Sequence, residues 1–324
     1  MLYPFKFEPI LKTIIWGGDE ICRFKGIQPL KNSIGESWEI SHVKDNVSVV
    51  ANGELKGKSL EELIDAYGEK LLGKQVIERF GTTFPLLIKF IDARDSLSIQ
   101  VHPDDELAKK RHNSFGKTEM WYIIQAAEDA FLYSGFAETT TPEQYVQSLE
   151  DDTFVNYLQK HDVNPGDVFF LPAGRVHAIG AGCFIAEIQQ TSNITYRIYD
   201  YNRKDAQGNP RELHTELAKD AIDYKVYPDY KLDYKRRQQT VQPLVACPYF
   251  TTELIEAAAG KALAFTQEDA FSIFICLEGK AALTDNNDYS IEIKQGETVL
   301  VPAEIKTVKL QIEKDGKLLR TYIK

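Results

Sequence analysis

Short runs rich in β-branched and aromatic residues, broken by Gly, Pro and Asx, recur along this chain and constrain its fold more than any other feature. They occupy 84–91, 97–101, 119–125, 168–171, 184–189, 273–277 and 298–301. Each is short enough to be a strand. Their number and spacing predict a mainly β protein built as a sandwich or barrel. Helices interrupt the pattern. Ser59-Leu60-Glu61-Glu62 carries the capping-box order before Leu63 and Ile64, which predicts a helix in 59–73. Thr141-Pro142-Glu143-Gln144 repeats that logic, with Pro at the first helical position, and predicts a helical insertion over 141–162. Acidic residues open 104–112, where they suit a positive helix end. A further helix is expected over 211–224.

The β texture is duplicated. Asn164-Pro165-Gly166-Asp167-Val168-Phe169-Phe170-Leu171-Pro172-Ala173 resembles Lys294-Gln295-Gly296-Glu297-Thr298-Val299-Leu300-Val301-Pro302-Ala303. Residues 120–124 match 271–275 loosely. Two copies of one β unit account for a length of 324 residues, which by itself suggests about two domains. The expected division is 1–235 and 236–324, with the boundary in the polar, basic stretch 234–240. The first copy is followed by His177, and Thr307 stands at that offset in the second. The second unit is therefore expected to lack metal ligands.

Forty-eight acidic residues against 38 basic ones give a formal charge of −10. This excludes a binder of nucleic acid or anionic membrane, which needs a basic footprint. It leaves room for a small anionic substrate if cations gather locally. Cys22, Cys183, Cys247 and Cys276 are far apart in sequence and read as reduced thiols of a cytoplasmic protein. Neither a signal peptide nor a membrane span is expected.

Strand alternation brings chemistry together. In Leu97-Ser98-Ile99-Gln100-Val101-His102-Pro103, Ile99 and Val101 face a core while Ser98, Gln100 and His102 share the other face. In Gly116-Lys117-Thr118-Glu119-Met120-Trp121 the same rule groups Lys117, Glu119 and Trp121. Pro172-Ala173-Gly174-Arg175-Val176-His177 leaves a strand through a turn and presents an imidazole. Gln100, His102, Glu119 and His177 can thus converge as two imidazoles, a carboxylate and an amide oxygen. Such a set suits a divalent first-row metal. A lone histidine is otherwise a surface or hydrogen-bonded residue.

Phe84-Pro85-Leu86-Leu87-Ile88-Lys89-Phe90-Ile91-Asp92-Ala93 running into Leu97–Asp104 resembles the signature of the type I mannose-6-phosphate isomerases. Segments 117–121, 172–177, 187–190 and 195–200, and Trp16-Gly17-Gly18, match in the same order, so the resemblance covers nearly the whole chain and is greatest to the short bacterial form. It implies a cupin-type jelly-roll β-sandwich and one zinc ion per chain. Carried over residue by residue, the implied ligands are Gln100, His102, Glu119 and His177. Two departures stand out. Many relatives read Lys-Pro-Glu where this chain has Lys117-Thr118-Glu119. Some longer relatives carry His directly before that lysine, where this chain has Gly116, so a mechanism using that histidine as base does not apply.

The implied reaction interconverts mannose 6-phosphate and fructose 6-phosphate. An aldose and its ketose exchange a proton between adjacent carbons through an enediol, and the developing charge needs a cation, which a metal supplies as Lewis acid. A base must reach the carbon-bound proton. Lys117, on the face of Glu119, is the first acid/base candidate, since a lysine beside a cation and partly desolvated has a lowered pKa; its plain alternative is a solvated strand-edge lysine. Arg197 does not titrate usefully, and the resemblance marks it as an active-site group. Its alternative is a sheet-surface ion pair with Asp200. Lys89 lies in an apolar strand, where an uncompensated ammonium is costly. It either snorkels to an edge or faces a polar cavity. The resemblance favours the cavity, with Lys89 and Ser98 as phosphate contacts and Trp16 as a pocket wall. Trp38 and His42 share a face and receive no role.

Two other classes compete. One is a metal-dependent cupin oxygenase or decarboxylase, against which Gln100, Lys89 and Arg197 suit a phosphosugar better. The other is a non-catalytic sugar-phosphate-binding cupin, since fold alone does not fix function. A small phosphosugar is the expected partner, with no nucleic acid, membrane or obligate protein partner.

Overall fold

A computed structural model describes residues 1–204, 208–236 and 240–324. The predicted β-sandwich is present. Its first sheet has six strands in the order Ile10–Gly18, Ile34–Ile40, Leu86–Ala93, Cys183–Gln190, Glu119–Ala126 and Val168–Leu171. The second has five, Tyr196–Tyr199, Ile99–Val101, His177–Ile179, Phe131–Phe136 and Leu158–Asp162. The pairings are antiparallel.

The first sheet is buried on both faces, which explains why Leu86–Ala93 reads as a continuous apolar run. Leu86, Ile88 and Phe90 join Met120, Tyr122, Phe184 and Ile188 in a core that includes Phe271, Ile273, Leu300 and Leu319 of the C-terminal unit. Ile91 and Ala93 face the other way, towards Trp121, Ile123, Leu132, Phe169 and Ile179 inside the sandwich. Lys89 shares their parity, so a period of two sends its ammonium to the interior face. The outer face of the second sheet packs Ile99, Val101, Tyr196 and Ile198 against Tyr145 and Ala218 of two covering helices.

The capping signals hold. Ser59 Oγ accepts from Glu62 N at 3.1 Å and Glu62 Oε2 from Ser59 N at 2.8 Å, opening Leu60–Tyr67. Thr141 and Gln144 do the same for Pro142–Glu150, and Asp104 caps Asp105–His112. Two helical expectations are too long. The insertion over 141–162 is helical only to Glu150; Asp152, at φ +54°, stops it, and after one 3-10 turn Leu158–Asp162 becomes a strand on Phe131–Phe136. The helix expected over 211–224 is confined to Thr215–Ala221, because Arg211 and the His214 ring are turned towards the strand Tyr196–Tyr199 and Asp200 instead.

The C-terminal unit is one sheet folded on itself. Its order is Val241–Ala246, Thr251–Ala257, Thr307–Tyr322, Ser272–Asp285 and Ser290–Lys294, with Ala262–Thr266 on Thr307–Tyr322 and Thr298–Val301 on Ser272–Asp285. The two long strands serve both walls by bending where their register slips around Gly279. That glycine has φ +82°, and a Cβ there would meet Asp315 O at 2.1 Å, so no other residue makes this corner easily. Residues 231–236 are tied to the first unit: Leu232 N donates to Val168 O at 2.8 Å and Tyr234 Oη to Gly166 O at 2.6 Å. The centre of the expected boundary, 237–239, lies outside the described residues.

The repeat is structural. Gly166 (φ +86°) donates to Ile123 O at 2.7 Å, and Gly296 (φ +81°) donates to Cys276 O at 2.9 Å. Arg175 N then closes on Pro172 O, as Ile305 N closes on Pro302 O. Phe170 pairs with Met120 and Leu300 with Ile273, so Met120 corresponds to Ile273. The loose match of 120–124 to 271–275 is therefore two residues out of step. A slip of two preserves the alternation of faces, which is why the pattern alone did not expose it. In the corrected register Ser272 stands where Glu119 stands.

A close crossing positions the start of the chain. A Cβ on Gly17 would meet Gly35 N at 2.3 Å, and one on Gly35 would meet the Trp16 ring at 2.6 Å. Gly17→Ala is expected to lower stability by roughly 1–3 kcal/mol through overpacking, read as a lower denaturant midpoint, and to disturb Trp16. An unchanged midpoint would show that the two strands can part without cost.

Candidate active site

Gln100 is the centre of a row across the second sheet. His177 is its partner on one neighbouring strand and Arg197 its partner on the other. Gln100 Nε2 and His177 Nε2 lie 3.3 Å apart. His102, two residues on, and Glu119, from the facing sheet, complete the group. His102 Nε2 is 3.6 Å from Glu119 Oε2, and His177 Nε2 is 3.4 Å from Glu119 Oε1. One ligand atom from each of His102, Glu119 and His177 lies within 4.8 Å of the others. Among the described residues this is the one such group of three.

The donors fit a divalent cation. His102 Nδ1–H donates to Ile194 O at 2.9 Å and His177 Nδ1–H to Arg175 O at 2.8 Å. Those bonds leave each Nε2 lone pair aimed at the group's centre, the usual orientation of a metal-binding imidazole. Burial, and then Lys117, push both imidazoles towards the neutral, ligating form, His177 to about 3. Burial pushes Glu119 up to about 7, and its Oε1 is buried with no hydrogen-bond partner, an arrangement that costs free energy unless a cation answers it. Lys117 Nζ donates to Glu119 Oε2 at 2.6 Å and to His102 Nε2 at 2.9 Å.

The group borders a cavity of about 340 Å³ lined by Trp16, Lys89, Ser98, Gln100, Lys117 and Arg197. All the expected site residues are thus brought together, and Lys117 and Ser98 are buried rather than solvated. Asp200 is occupied by Arg203 and Arg211, so it does not neutralise Arg197 as a direct partner. Arg197 Nη1 donates to Glu212 O at 2.9 Å, and its Nε is buried without an acceptor. The lining also holds groups that sequence reasoning passed over. Glu187 Oε1 lies 3.2 Å and Glu36 Oε2 3.6 Å from Lys89 Nζ. Burial alone would lower the Lys89 pKa, but these two carboxylates outweigh it and raise it. Burial would raise Glu187, yet Lys89 and Lys117 hold it at about 2. Trp121 Nε1 donates to Glu187 Oε2 at 2.9 Å and places its edge on His177. Alternation could have flagged both carboxylates: Glu36 shares a face with Trp38, and Glu187 with Ile185. Arg211 is a further cation of the lining. Lys89, Lys117, Arg197 and Arg211 set four cations against Glu36 and Glu187 in that lining, so the cavity is cationic inside an acidic protein.

Both departures have structural counterparts. Thr118 N donates to Gln190 Oε1 at 2.8 Å, a bond a proline there would remove. A Cβ on Gly116 would meet Asp105 N at 2.6 Å, so no histidine fits at this position.

Comparison with known proteins agrees. Residues 4–123 match the family model of the phosphomannose isomerase type I catalytic domain, and 240–323 that of the mannose-6-phosphate isomerase cupin domain. The chain is 35% identical to mannose-6-phosphate isomerase ManA of Bacillus subtilis over 311 residues, covering 95% of this chain and 96% of that protein. It is 34% identical to the mannose-6-phosphate isomerase of Streptococcus mutans, covering 95% of each. The crystal structure of the mannose 6-phosphate isomerase from Bacillus subtilis superposes with a TM-score of 0.88 at 31% identity, covering 99% of both chains. No helix among the described residues is long and apolar enough to cross a membrane. With its two cupin-type units and its His/Glu/His centre, this chain belongs to the type I mannose-6-phosphate isomerase family.

Proposed function

We propose that the protein interconverts mannose 6-phosphate and fructose 6-phosphate through an enediolate, using one zinc ion per chain held by Gln100, His102, Glu119 and His177. The convergence of His102, Glu119 and His177, with the Gln100 amide beside His177, next to a cavity with four cations carries this reading. Two imidazoles, a carboxylate and an amide oxygen suit zinc. When bound, the ion would supply Lewis-acid positive charge for the developing enediolate. Lys117, which lines the cavity beside the ligand group, is the acid/base group, and its bond to His102 Nε2 is one that a bound ion would replace. Arg197 uses its free Nε to stabilise negative charge developing on an oxygen. Trp16 forms the apolar wall. Ser98 and Lys89 contact the phosphate, and because Glu36 and Glu187 already balance Lys89, Arg211 supplies part of the charge the phosphate needs.

The catalytic unit is taken as 1–235, with 236–324 a unit without metal ligands. Four free thiols support a reducing, cytoplasmic setting. The direct test is to incubate metal-replete protein with mannose 6-phosphate and measure fructose 6-phosphate. Turnover is expected, with loss on chelation and recovery on adding zinc; no turnover in metal-replete protein overturns the reading.

A further inference from the structure

The corrected repeat register locates a second cavity at the C-terminal counterpart of the active site. Ser272 corresponds to Glu119 through their partners Val301 and Leu171. Tyr322 and Arg320, opposite Ser272 and Phe274, correspond to Gln189 and Glu187, opposite Glu119 and Trp121. Thr266, opposite Thr307, corresponds to Gln100, opposite His177. Thr266, Ser272, Arg320 and Tyr322 all line a cavity of about 390 Å³, similar in size to the metal-bordering one. Ser272, Thr266 and Thr307 replace Glu119, Gln100 and His177, and Glu268 stands two residues after Thr266 as His102 stands two after Gln100, so the four-ligand set is lost while a cavity remains.

One ion pair at its edge is inverted. In the first unit Lys89 and Glu187 pair at 3.2 Å; at the same two places Glu253 and Arg320 pair at 3.2 Å with the signs exchanged. The cavity that a buried glutamate lines in one unit is therefore lined by a buried guanidinium in the other. Arg320 is only 8% exposed, with its guanidinium between the Phe265 and Tyr322 rings. Its Nε is buried and has no acceptor. Lys324 adds a second cation, and Ser272, Thr266 and Gln75 offer short polar groups. Glu268 and Asp269 also border the space, but Asp269 is occupied by the backbone N–H groups of Lys74 and Gln75.

We propose that this cavity is a second, non-catalytic binding site for a small hydroxylated anion of the sugar-phosphate class. The Arg320 guanidinium and Lys324 take the anionic oxygens, and Ser272, Thr266 and Glu268 take hydroxyls. Because no metal donor set is present, the ligand is held without being converted.

The test titrates the full, zinc-loaded chain calorimetrically with sorbitol 6-phosphate, which has no carbonyl to isomerise. Two sites per chain are expected. Thr266→Trp, which puts bulk into the cavity's lining, and Arg320→Lys, which removes the planar fork but keeps the charge, should each weaken one site about tenfold or more. The other site and kcat should stay as in the unaltered protein. Hydrogen exchange should slow at 266–275 and 316–324 on adding ligand. The use of two variants covers the chance that one perturbs the barrel. One site per chain, or a second site untouched by both variants, overturns the proposal. Equal affinity for inorganic phosphate or for sorbitol alone overturns the assigned ligand class.

Discussion

Glu119→Gln is expected to purify with less than stoichiometric metal and to lose isomerase activity by at least about a thousandfold. The substitution keeps shape and volume, so the sheet around it should survive. What it removes is the negative charge that faces both Nε2 atoms and receives the Lys117 ammonium at 2.6 Å. A neutral amide binds a divalent ion more weakly, and its NH2 would point a donor at a cation or at Lys117. Metal analysis and kcat measured on the same preparation decide the matter. If Glu119→Ala, which removes every side-chain donor, also kept one equivalent of metal, Glu119 would not be a ligand.

Arg197→Ala is expected to keep its metal and lose about 10²–10³ in kcat. The side chain sits beside Gln100 on the neighbouring strand, its backbone N–H donating to His214 Nδ1 at 3.1 Å. It contributes fixed positive charge rather than a proton. The effect should therefore fall on kcat, because the charge it answers exists mainly in the transition state. Arg197→Lys should recover little, since an ammonium cannot reproduce the planar fork. If KM rose tenfold with kcat unchanged, Arg197 would be a ground-state binding residue instead.

The metal group was legible because strands impose a period of two. Once 97–103 and 116–121 were read as strands, Gln100 with His102, and Lys117 with Glu119, had to share faces. The same period hid the repeat's register, since a shift of two residues leaves every face unchanged. Helix lengths failed where tertiary contacts outweighed local preference: 158–162 pairs as a strand, and Arg211 is drawn to Asp200. Alternation marks the faces of Glu36 and Glu187, but their meaning as partners of Lys89 depends on three strands meeting side by side, which local sequence does not encode.

The sheet carrying Leu86–Ala93 has active-site chemistry on one face and the C-terminal unit on the other. Phe84 and Phe271 stack across that seam with centroids 4.6 Å apart. A chain cut at the junction would strip Phe271, Ile273, Leu300 and Leu319 from this core and open the apolar side chains they cover, Phe84 among them, to water. Such a surface favours clumping over catalysis. The second unit thus serves as a backing plate for the sheet that carries the active site.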